Sequence, residues 1–269
     1  MSTAQTAIVD VWGEYLLNKS ITKAMILAAG EGTRLRPHTL TTPKPMLPVS
    51  GRPTIEWIVL WLRHYGIRDI VINLHHQPDP VIEHFGDGSK LGVKITFSVE
   101  ETILGTAGGV KRVENQFKNP FVMVYGDVLT DMDLGRLAEF HGACCDRPHV
   151  TLSLYTAPNP WECGIVAVDG NQRVTRFVEK PPRDQVFSNL TNAGVLVVDP
   201  PILKHIPPAG FSDISHDLLP ELLRSDVPIY AQPMDEDVYL IDIGTPEKYE
   251  RVQRQWPTAR ARLYLESTK

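Results

Sequence analysis

Residues 27–49 combine a glycine-rich turn with two basic residues at a fixed distance, a pattern that suits phosphate chemistry. Gly30 and Gly32 lack a Cβ, so successive backbone amides can converge on phosphate oxygens. Arg34 adds a planar guanidinium that binds an oxyanion through two hydrogen bonds. Lys44 lies between two prolines, which fix the backbone on both sides and present its ammonium from a stiff loop. The segment therefore predicts a nucleotide-binding loop after a buried strand.

Two better-known phosphate loops do not fit this segment. A Walker A loop requires Gly-x-x-x-x-Gly-Lys-Ser/Thr, which the sequence does not contain. The dinucleotide-binding fingerprint requires a third glycine where this chain has Leu35, which disfavours a nicotinamide-dependent oxidoreductase. The alternative for Gly30 and Gly32 alone is an ordinary turn that leaves a strand, and the nearby Arg34 and Lys44 weigh against it.

Two aspartates each close an apolar strand pattern. Asp127 follows residues 121–125, and Asp242 follows an apolar run near the end of the chain. In open α/β sheets, ligands bind outside the carboxyl ends of the strands. Mg²⁺ prefers oxygen ligands and commonly uses one or two carboxylates together with substrate phosphates. Each aspartate is thus a candidate metal ligand, with a helix or turn cap as the alternative for Asp127. The residue pattern alone does not pair two positions so distant in sequence.

Further polar residues stand at predicted strand ends. Glu179 and Lys180 are followed by two prolines, and by themselves they also fit a surface ion pair. Asn192 precedes Ala-Gly, where a turn cap is the alternative. Glu100 follows a predicted strand, and residues 105–108 begin a predicted helix. The small residues at 105–108 can face a nucleotide base while the helix N-terminus faces a phosphate.

The opening segment resembles the signature of the sugar-1-phosphate nucleotidyltransferases, Gly-x-Gly-x-Arg-Leu-x-Pro-x-Thr followed by Pro-Lys-Pro, and the resemblance covers residues 22–249. It implies an enzyme that transfers a nucleotidyl group from an NTP to a sugar 1-phosphate, releasing pyrophosphate and forming an NDP-sugar. No hexapeptide repeats follow, so the chain resembles the short members without a C-terminal β-helix. His38 departs from the signature, because the family usually has an apolar residue after the proline.

The resemblance implies roles for individual residues. Those implied to bind the nucleotide are Leu27, Ala28, Ala29, Gly30, Gly32, Thr33, Arg34, Glu100, Gly105 and Thr106. Those implied to bind the sugar phosphate are Gly164, Glu179, Lys180 and Asn192, with Lys180 on the 1-phosphate and Glu179 on sugar hydroxyls. The pair implied to hold a catalytic Mg²⁺ is Asp127 and Asp242, and the implied catalytic residues are Arg34, Lys44, Asp127 and Lys180.

Residues 100–108 resemble Glu-x-x-Pro-Leu-Gly-Thr-Ala-Gly of guanylyltransferases, which favours GTP and a product of the GDP-mannose or GDP-heptose type. Two positions depart from the family pattern: Ile103 replaces the usual proline, and Cys163 stands before Gly164 where tyrosine is common. A uridylyltransferase for a sugar of the N-acetylmuramic acid 1-phosphate type shares the opening motif and is the alternative. A non-catalytic regulator that binds a nucleotide-sugar is the alternative of another class.

Composition indicates a globular protein, with 269 residues of which 42% are hydrophobic and 22% charged. A net charge of −5 argues against a general nucleic-acid surface. The cysteines Cys144, Cys145 and Cys163 lack metal-ligand spacing, which indicates reduced thiols. Neither a membrane span nor a secretion signal is predicted, so a cytoplasmic location is expected. Short members of the family often form dimers, and a homodimer is the expectation that the resemblance implies.

Apolar runs of strand length alternate with helical patterns, which predicts an α/β fold with a Rossmann-like, mainly parallel mixed sheet flanked by helices; the resemblance implies the GT-A-like form of it. The predicted strands are residues 22–28, 69–74, 93–99, 121–125, 192–198 and 238–243. The predicted helices are residues 53–65, 106–117 and 213–223, one that begins near Asp133, and one opened by Thr245 and Pro246. Asp169 and Gly170 predict a hairpin turn.

The predicted domain organisation is an N-terminal extension, residues 1–21, followed by one nucleotidyltransferase catalytic domain, residues 22–269. The extension has a modestly amphipathic pattern, which fits either a docked helix or a frayed tail.

Overall fold

The computed structural model describes residues 21–144, 146–147 and 149–260, and these divide into two compact units. Unit 1 comprises residues 21–103, Val124–Gly135 and residues 238–260. Unit 2 comprises Leu104–Met123 and Arg136–Asp237. Cys145 and, apart from Ile21, the predicted N-terminal extension lie outside the described residues. The assignment of residues 22–269 to one catalytic domain stays a prediction.

In the described part of the chain, the strands are β1 (Lys23–Leu27), β2 (Pro48–Val49), β3 (Arg52–Pro53), β4 (Asp69–Leu74), β5 (Lys94–Val99), β6 (Phe121–Tyr125), β7 (Val128–Thr130), β8 (Val150–Thr156), β9 (Gly164–Val168), β10 (Val174–Glu179), β11 (Leu190–Val198), β12 (Ile229–Pro233) and β13 (Leu240–Asp242). The α-helices are α1 (Thr54–His64), α2 (Asp79–Phe85), α3 (Gly105–Arg112), α4 (Leu134–Ala143), α5 (Leu219–Arg224) and α6 (Pro246–Arg260). A π-helical turn, Ile214–Leu218, leads into α5.

Unit 1 is built on the parallel strands β1, β4 and β5. Lys23 pairs with Asp69, and Asp69 pairs with Lys94, so the three strands start and end level with one another. The central residues of β1 and β4 are almost all apolar and buried, which is the pattern of strands covered on both faces, whereas β5 at the edge is only partly buried. In the strand order, β6 lies on the other side of β1 from β4. The carboxyl ends of β1, β4 and β5 therefore meet at one edge of unit 1.

Helix α1 supplies much of the core of unit 1. Ile55, Ile58 and Leu62 recur at helical spacing and are buried, as their pattern predicts. Gly66 ends the helix in a left-handed conformation, with φ of +81°, and its amide donates to the carbonyl oxygen of Arg63.

Unit 2 contains the antiparallel pairs β9 with β10, β8 with β11 and β9 with β11, together with the parallel pair β8 with β12. The predicted hairpin is confirmed. The Asp169 carboxylate accepts hydrogen bonds from the amides of Asn171 and Arg173, at 2.8 and 3.0 Å, and so fixes the turn between β9 and β10.

The predicted helix over residues 106–117 is too long. Helix α3 ends at Arg112, and a 3₁₀ turn, Glu114–Gln116, follows it. The turn points Phe117 inward, where its ring stacks on Phe121 with centroids 3.8 Å apart. Burial of this aromatic side chain outweighs one further turn of helix, and the two glycines in α3 weaken its propensity to continue.

The fold class agrees with the prediction: a Rossmann-like, mainly parallel mixed sheet with flanking helices. Among the described helices, none has both the length and the apolar character that crossing a membrane requires.

Candidate active site

The glycine-rich segment leaves β1 as a tight loop in unit 1. Gly32 has a φ of +67°, and a Cβ there would come within 3.0 Å of both Lys44 and Thr39. Thr39 also donates a hydrogen bond of 2.8 Å to the Gly32 carbonyl oxygen. Gly30 is exposed, with open space where a Cβ would stand. Gly32 is thus required by the packing of the loop, whereas Gly30 keeps one side of it open.

Lys44 brings its ammonium to the end of β6. It begins a 3₁₀ turn, Lys44–Met46, between the two buried prolines Pro43 and Pro45. Its Nζ forms an ion pair with Oδ2 of Asp127, and the Lys44 side chain is only 15% exposed. Lys44 therefore lies between its two prolines in a position beside Asp127, one of the two predicted metal ligands.

Gly126 explains why Asp127 lies beside the glycine-rich loop. A Cβ on Gly126 would stand 2.9 Å from the carbonyl oxygen of Leu27 and 3.0 Å from Cβ of Ala28. The Gly126 amide donates a hydrogen bond of 2.8 Å to the same Leu27 oxygen. The ends of β1 and β6 therefore touch through backbone, which only glycine permits at this distance.

Asp127 directly precedes β7, and Asp242 ends β13, the strand that pairs with β7. β7 and β13 pair antiparallel with Asp242 opposite Val128, and the Ile243 amide donates to the Asp127 carbonyl oxygen at 3.0 Å. The structure thus brings together two residues that the sequence could pair only by resemblance. Arg34 lies close to Asp242, with Gly244 between them. The position that a Cβ on Gly244 would take is 2.6 Å from Oδ1 of Asp242 and 3.1 Å from Nη2 of Arg34.

Asp242 is ionised by its surroundings. Burial opposes the negative charge of Asp242. Three groups outweigh this effect: Lys248 through its hydrogen bond and charge, the Gly244 amide through a hydrogen bond, and Lys44 through its charge. Together they hold the pKa of Asp242 below its ordinary value. Lys248 forms an ion pair with Oδ2, and the Gly244 amide donates to Oδ1 at 3.1 Å. Sequence reasoning missed Lys248, because a lysine in the first turn of a helix looks like an ordinary solvated residue.

The donor set fits a hard divalent cation. Asp127 offers a carboxylate from the turn before β7, and Asp242 offers one from the end of the paired strand β13. Each carboxylate is balanced by a lysine ammonium. Mg²⁺ needs few protein ligands of this kind when substrate phosphates complete its coordination. These two aspartates are the residues that would hold it.

Glu100 belongs to a buried polar chain in unit 1. The Ala28 amide donates to Oδ1 of Asn73 at 2.9 Å, and Nδ2 of Asn73 donates to Oε1 of Glu100 at 2.8 Å. Glu100 is only 2% exposed, and its carbonyl oxygen lies 2.9 Å from Nδ1 of His75. Asn73 was not among the predicted site residues, although an amide inside an apolar strand such as β4 is a recognisable signal.

Glu179 and Lys180 lie together at the end of β10 in unit 2. Lys180 has a φ of +46°, a strained conformation for a residue with a side chain, and its amide donates to the Cys163 carbonyl oxygen at 2.9 Å. Its ammonium is 3.4 Å from Oε1 of Glu179, and its side chain is 56% exposed. Such strain is commonly retained where a side chain must point in a particular direction.

Gly164 makes room for Glu179. A Cβ on Gly164 would stand 2.6 Å from Oε2 of Glu179 and 2.8 Å from the ring of Phe177. Asn192 lies at an irregularity of β11, where its Oδ1 accepts a hydrogen bond of 3.1 Å from the Gly194 amide and Gly194 has a φ of +78°. The Asn192 side chain therefore caps the bend in its own strand, as in the turn-cap alternative given above.

The start of α3 is occupied by neighbouring backbone. The amides of Ala107 and Gly108 donate to the Ser212 carbonyl oxygen at 2.9 and 3.0 Å. Thr106 Oγ1 donates to Asp213 and accepts from the Ile214 amide, both at 2.8 Å. These hydrogen bonds attach the start of α3 to the π-helical turn, and the assignment of Gly105 and Thr106 to the nucleotide stays a prediction.

The three departures from the family pattern have local consequences. His38 packs edge-on against Tyr249, with ring centroids 5.4 Å apart, and so helps attach the loop to α6. Ile103 is one of the exposed large apolar residues. Cys163 Sγ lies 3.3 Å from the Tyr155 hydroxyl.

The chain matches known proteins over most of its length. Residues 23–258 match the family model described as "Nucleotidyl transferase". A UTP–glucose-1-phosphate uridylyltransferase of Synechocystis sp. is 36% identical over 243 residues, which cover 84% of this chain and 61% of the relative. A mannose-1-phosphate guanylyltransferase of Mycobacterium tuberculosis is 37% identical over 233 residues, which cover 85% and 62%. The chain thus spans about three fifths of the length of these curated relatives.

A solved structure supports the fold. A crystal structure from Bacillus anthracis, assigned as a glucose-1-phosphate thymidylyltransferase in complex with sucrose, superposes with a TM-score of 0.77 and 25% identity. The match covers 86% of this chain and 94% of that one.

Proposed function

Because the chain belongs to the nucleotidyl transferase family, we propose that it transfers a nucleotidyl group from an NTP to a sugar 1-phosphate and releases pyrophosphate. The observation that carries the proposal is the grouping of Arg34, Lys44, Asp127 and Asp242 beside the glycine-rich loop of unit 1. Such a set suits a triphosphate, which needs cations and backbone amides at its oxygens.

The proposed reaction is a direct displacement. The 1-phosphate oxygen of the sugar attacks the α-phosphorus in line, the bond to the β-phosphate oxygen breaks, and pyrophosphate leaves with the electron pair. Little proton chemistry is required, so alignment and charge neutralisation carry the catalysis. Mg²⁺, held by Asp127 and Asp242, would supply part of that neutralisation.

Individual side chains have distinct proposed tasks. Arg34 binds the leaving pyrophosphate, and Lys44 lies near the transferred group. Lys180 holds the 1-phosphate of the sugar, and Glu179 accepts hydrogen bonds from sugar hydroxyls. The strained backbone of Lys180 supports its task, because it fixes the direction in which the chain presents the ammonium.

We propose GTP as the preferred donor. An ionised carboxylate only accepts hydrogen bonds, and guanine offers two adjacent donors on its Watson–Crick edge, whereas uracil offers one donor between two acceptors. Glu100 is buried and oriented by Asn73, so it is suited to such a task. The mannose-1-phosphate guanylyltransferase relative supports the same donor and mannose 1-phosphate as the acceptor. A heptose 1-phosphate is the acceptor that the resemblance of residues 100–108 adds.

The alternative donor is UTP, favoured by the uridylyltransferase relative. A panel of the common NTPs with mannose, heptose, glucose and N-acetylmuramic acid 1-phosphates, read by pyrophosphate release, tests both. The highest kcat/KM is expected for GTP with the mannose or heptose ester. A higher value for UTP would overturn the guanylyl assignment, and binding of a nucleotide-sugar without turnover of any pair would favour the non-catalytic regulator.

Substitution of Glu100 tests the base contact directly. Glu100→Gln keeps the shape and the acceptor that faces Asn73 but replaces one carboxylate oxygen with a donor. We expect kcat/KM for GTP to fall about 10-fold to 100-fold, the cost of one mispaired base edge, with a small change for UTP. Glu101→Gln, an exposed neighbour, is the matched control. Equal losses with GTP and UTP would contradict the role.

A further inference from the structure

Two histidines and an aspartate meet in the interior of unit 2, and none of the three has a task in the proposed reaction. His141 lies near the end of α4, His149 precedes β8, and Asp199 follows β11. His141 is 1% exposed and His149 is 0% exposed, and the Asp199 side chain is 6% exposed. One potential ligand atom from each residue lies within 4.8 Å of the others.

Asp199 stands between the two rings. Its Oδ1 is 3.4 Å from Nε2 of His141, and its Oδ2 is 3.6 Å from Nδ1 of His149. The His149 amide also donates to Oδ2 at 2.9 Å, which fixes the carboxylate. The two imidazole rings lie 4.2 Å apart between centroids.

One nitrogen of each ring is oriented by a hydrogen-bond partner outside the trio. Nδ1 of His149 is 2.7 Å from the Asp146 carbonyl oxygen, which only accepts, so Nδ1 carries the hydrogen and Nε2 the lone pair. That Nε2 is buried and has no hydrogen-bond partner among the described residues. Nδ1 of His141 is 2.9 Å from Oγ1 of Thr151. Metal-ligating histidines are characteristically held in this way.

A cationic group already contacts the cluster. Nη1 of Arg147 donates to Oδ1 of Asp199 at 2.8 Å and lies 3.4 Å from Nε2 of His141. The Arg147 side chain is 41% exposed, so it has room to turn outward. Its guanidinium neutralises the same oxygen and faces the same nitrogen that a metal ion would bind.

We propose that His141, His149 and Asp199 form a binding site for a divalent transition metal, with Zn²⁺ the best match, and that Arg147 competes with the ion for it. Two imidazole nitrogens and one carboxylate oxygen are a common ligand set of zinc. Tetrahedral bonds of about 2.1 Å place ligand atoms about 3.4 Å apart, so binding draws the three residues slightly closer. Water completes the coordination.

The experiment uses the full chain, stripped with EDTA and then dialysed against Zn²⁺ or Co²⁺ in a large excess of Mg²⁺. The excess saturates oxygen-only sites such as Asp127 with Asp242, so the readout reports a nitrogen-containing site. Metal content after dialysis and the visible absorption of bound Co²⁺ are measured. Neither readout depends on nucleotidyl transfer, so failure of the proposed function leaves this test intact.

We expect one ion per chain in the wild type and an affinity at least about tenfold lower in His149→Gln, as for loss of a ligand contact. Because the Arg147 side chain is 41% exposed, Arg147→Gln is expected to keep the fold. The variant should bind the ion at least about tenfold more tightly because the competing charge is gone. His216→Gln, an exposed histidine of the same unit, is the matched control and should bind as the wild type does. Circular dichroism checks the fold of each variant.

Two results would overturn the proposal. One is no bound ion in either the wild type or Arg147→Gln, which would leave the cluster as a hydrogen-bond network only. The other is equal binding by the wild type, His149→Gln and Asp199→Asn, which would place the ion elsewhere.

Discussion

Charge balance around the glycine-rich loop explains why a divalent cation matters to a triphosphate there. Arg34, Lys44 and Lys248 carry three positive charges, and Asp127 and Asp242 carry two negative charges. The single excess positive charge is small against the several negative charges of a triphosphate. A bound divalent cation makes up most of the difference, which is why the aspartates do not weaken anion binding in the proposed enzyme.

Lys180 is expected to affect one substrate selectively. Lys180→Ala should lower kcat/KM for the sugar 1-phosphate by about 100-fold to 1000-fold, because a charge contact to the attacking phosphate is lost. NTP binding, measured by titration without sugar phosphate, should change little. Lys204→Ala, another exposed lysine of unit 2, is the control. Equal losses for both substrates would contradict the assigned role.

Gly244 is expected to tolerate no side chain. In Gly244→Ala the new methyl group would press against Oδ1 of Asp242, 2.6 Å away, and against Arg34. Displacement of these groups by a fraction of an ångström should lower kcat/KM about 100-fold. Gly170→Ala, in a hairpin turn with open space around it, is the matched control and should keep full activity. Wild-type activity in Gly244→Ala would mean that the Asp242 position is not critical.

The connection between α4 and β8 shows how a short element can make stability depend on pH. Burial, followed by repulsion from His141, lowers the pKa of His149 from 6.5 to about 4. The folded protein therefore keeps this ring neutral at pH values where the unfolded chain protonates it. The contribution of His149 to stability is complete above pH 6.5 and is lost progressively as pH falls towards 4.

Acid sensitivity of the fold is the expected outcome. The free energy of unfolding should fall by up to about 3 kcal/mol between pH 7 and pH 4 on account of His149. Urea unfolding in EDTA at a series of pH values measures it. His149→Asn should be less stable at pH 7 but should lose less stability on acidification, whereas the exposed His216→Asn should follow the wild type. An identical pH dependence in His149→Asn would exclude this cause.

Elements with a strong local pattern could be predicted from the sequence, and elements decided by distant contacts could not. β4 was predicted at its observed bounds because its apolar residues are continuous, and Asp169 marked the hairpin. The end of α3 was missed because burial of Phe117 against Phe121 decides it. The capture of the α3 amides by Ser212 likewise depends on a segment far along the chain.

The candidate active site shows the same contrast between local sequence patterns and contacts distant in sequence. Arg34 and Lys44 were predicted from local spacing, and the structure places both in unit 1 near Asp127 and Asp242. The pairing of the two aspartates came only from the family resemblance, because a β7–β13 contact leaves no trace in local composition. Lys248 was missed for a similar reason. Its importance lies in a partner, Asp242, and not in its own neighbourhood on the helix.

At the scale of the whole molecule, ligand binding should appear as increased stability. A ligand that binds only the folded chain adds about 2.7 kcal/mol at a hundred times its dissociation constant. GTP with Mg²⁺ should therefore raise the thermal unfolding midpoint of the wild type, and EDTA should cancel the increase. Asp242→Asn should show a much smaller increase, while Asp226→Asn, an exposed aspartate of unit 2, should match the wild type. An unchanged increase in Asp242→Asn would remove this residue from the proposed metal site.

The two units interleave along the chain: unit 1 is assembled from three separate stretches of sequence, and β6 has residues in both units. Neither unit corresponds to a continuous fragment that a truncation would release. A shortened chain that ends near Ile103 keeps the glycine-rich loop but lacks Asp127, Asp242 and β6, the strand beside β1 on the side away from β4. Exchange of one unit between relatives would therefore require the replacement of several separate stretches of sequence at once.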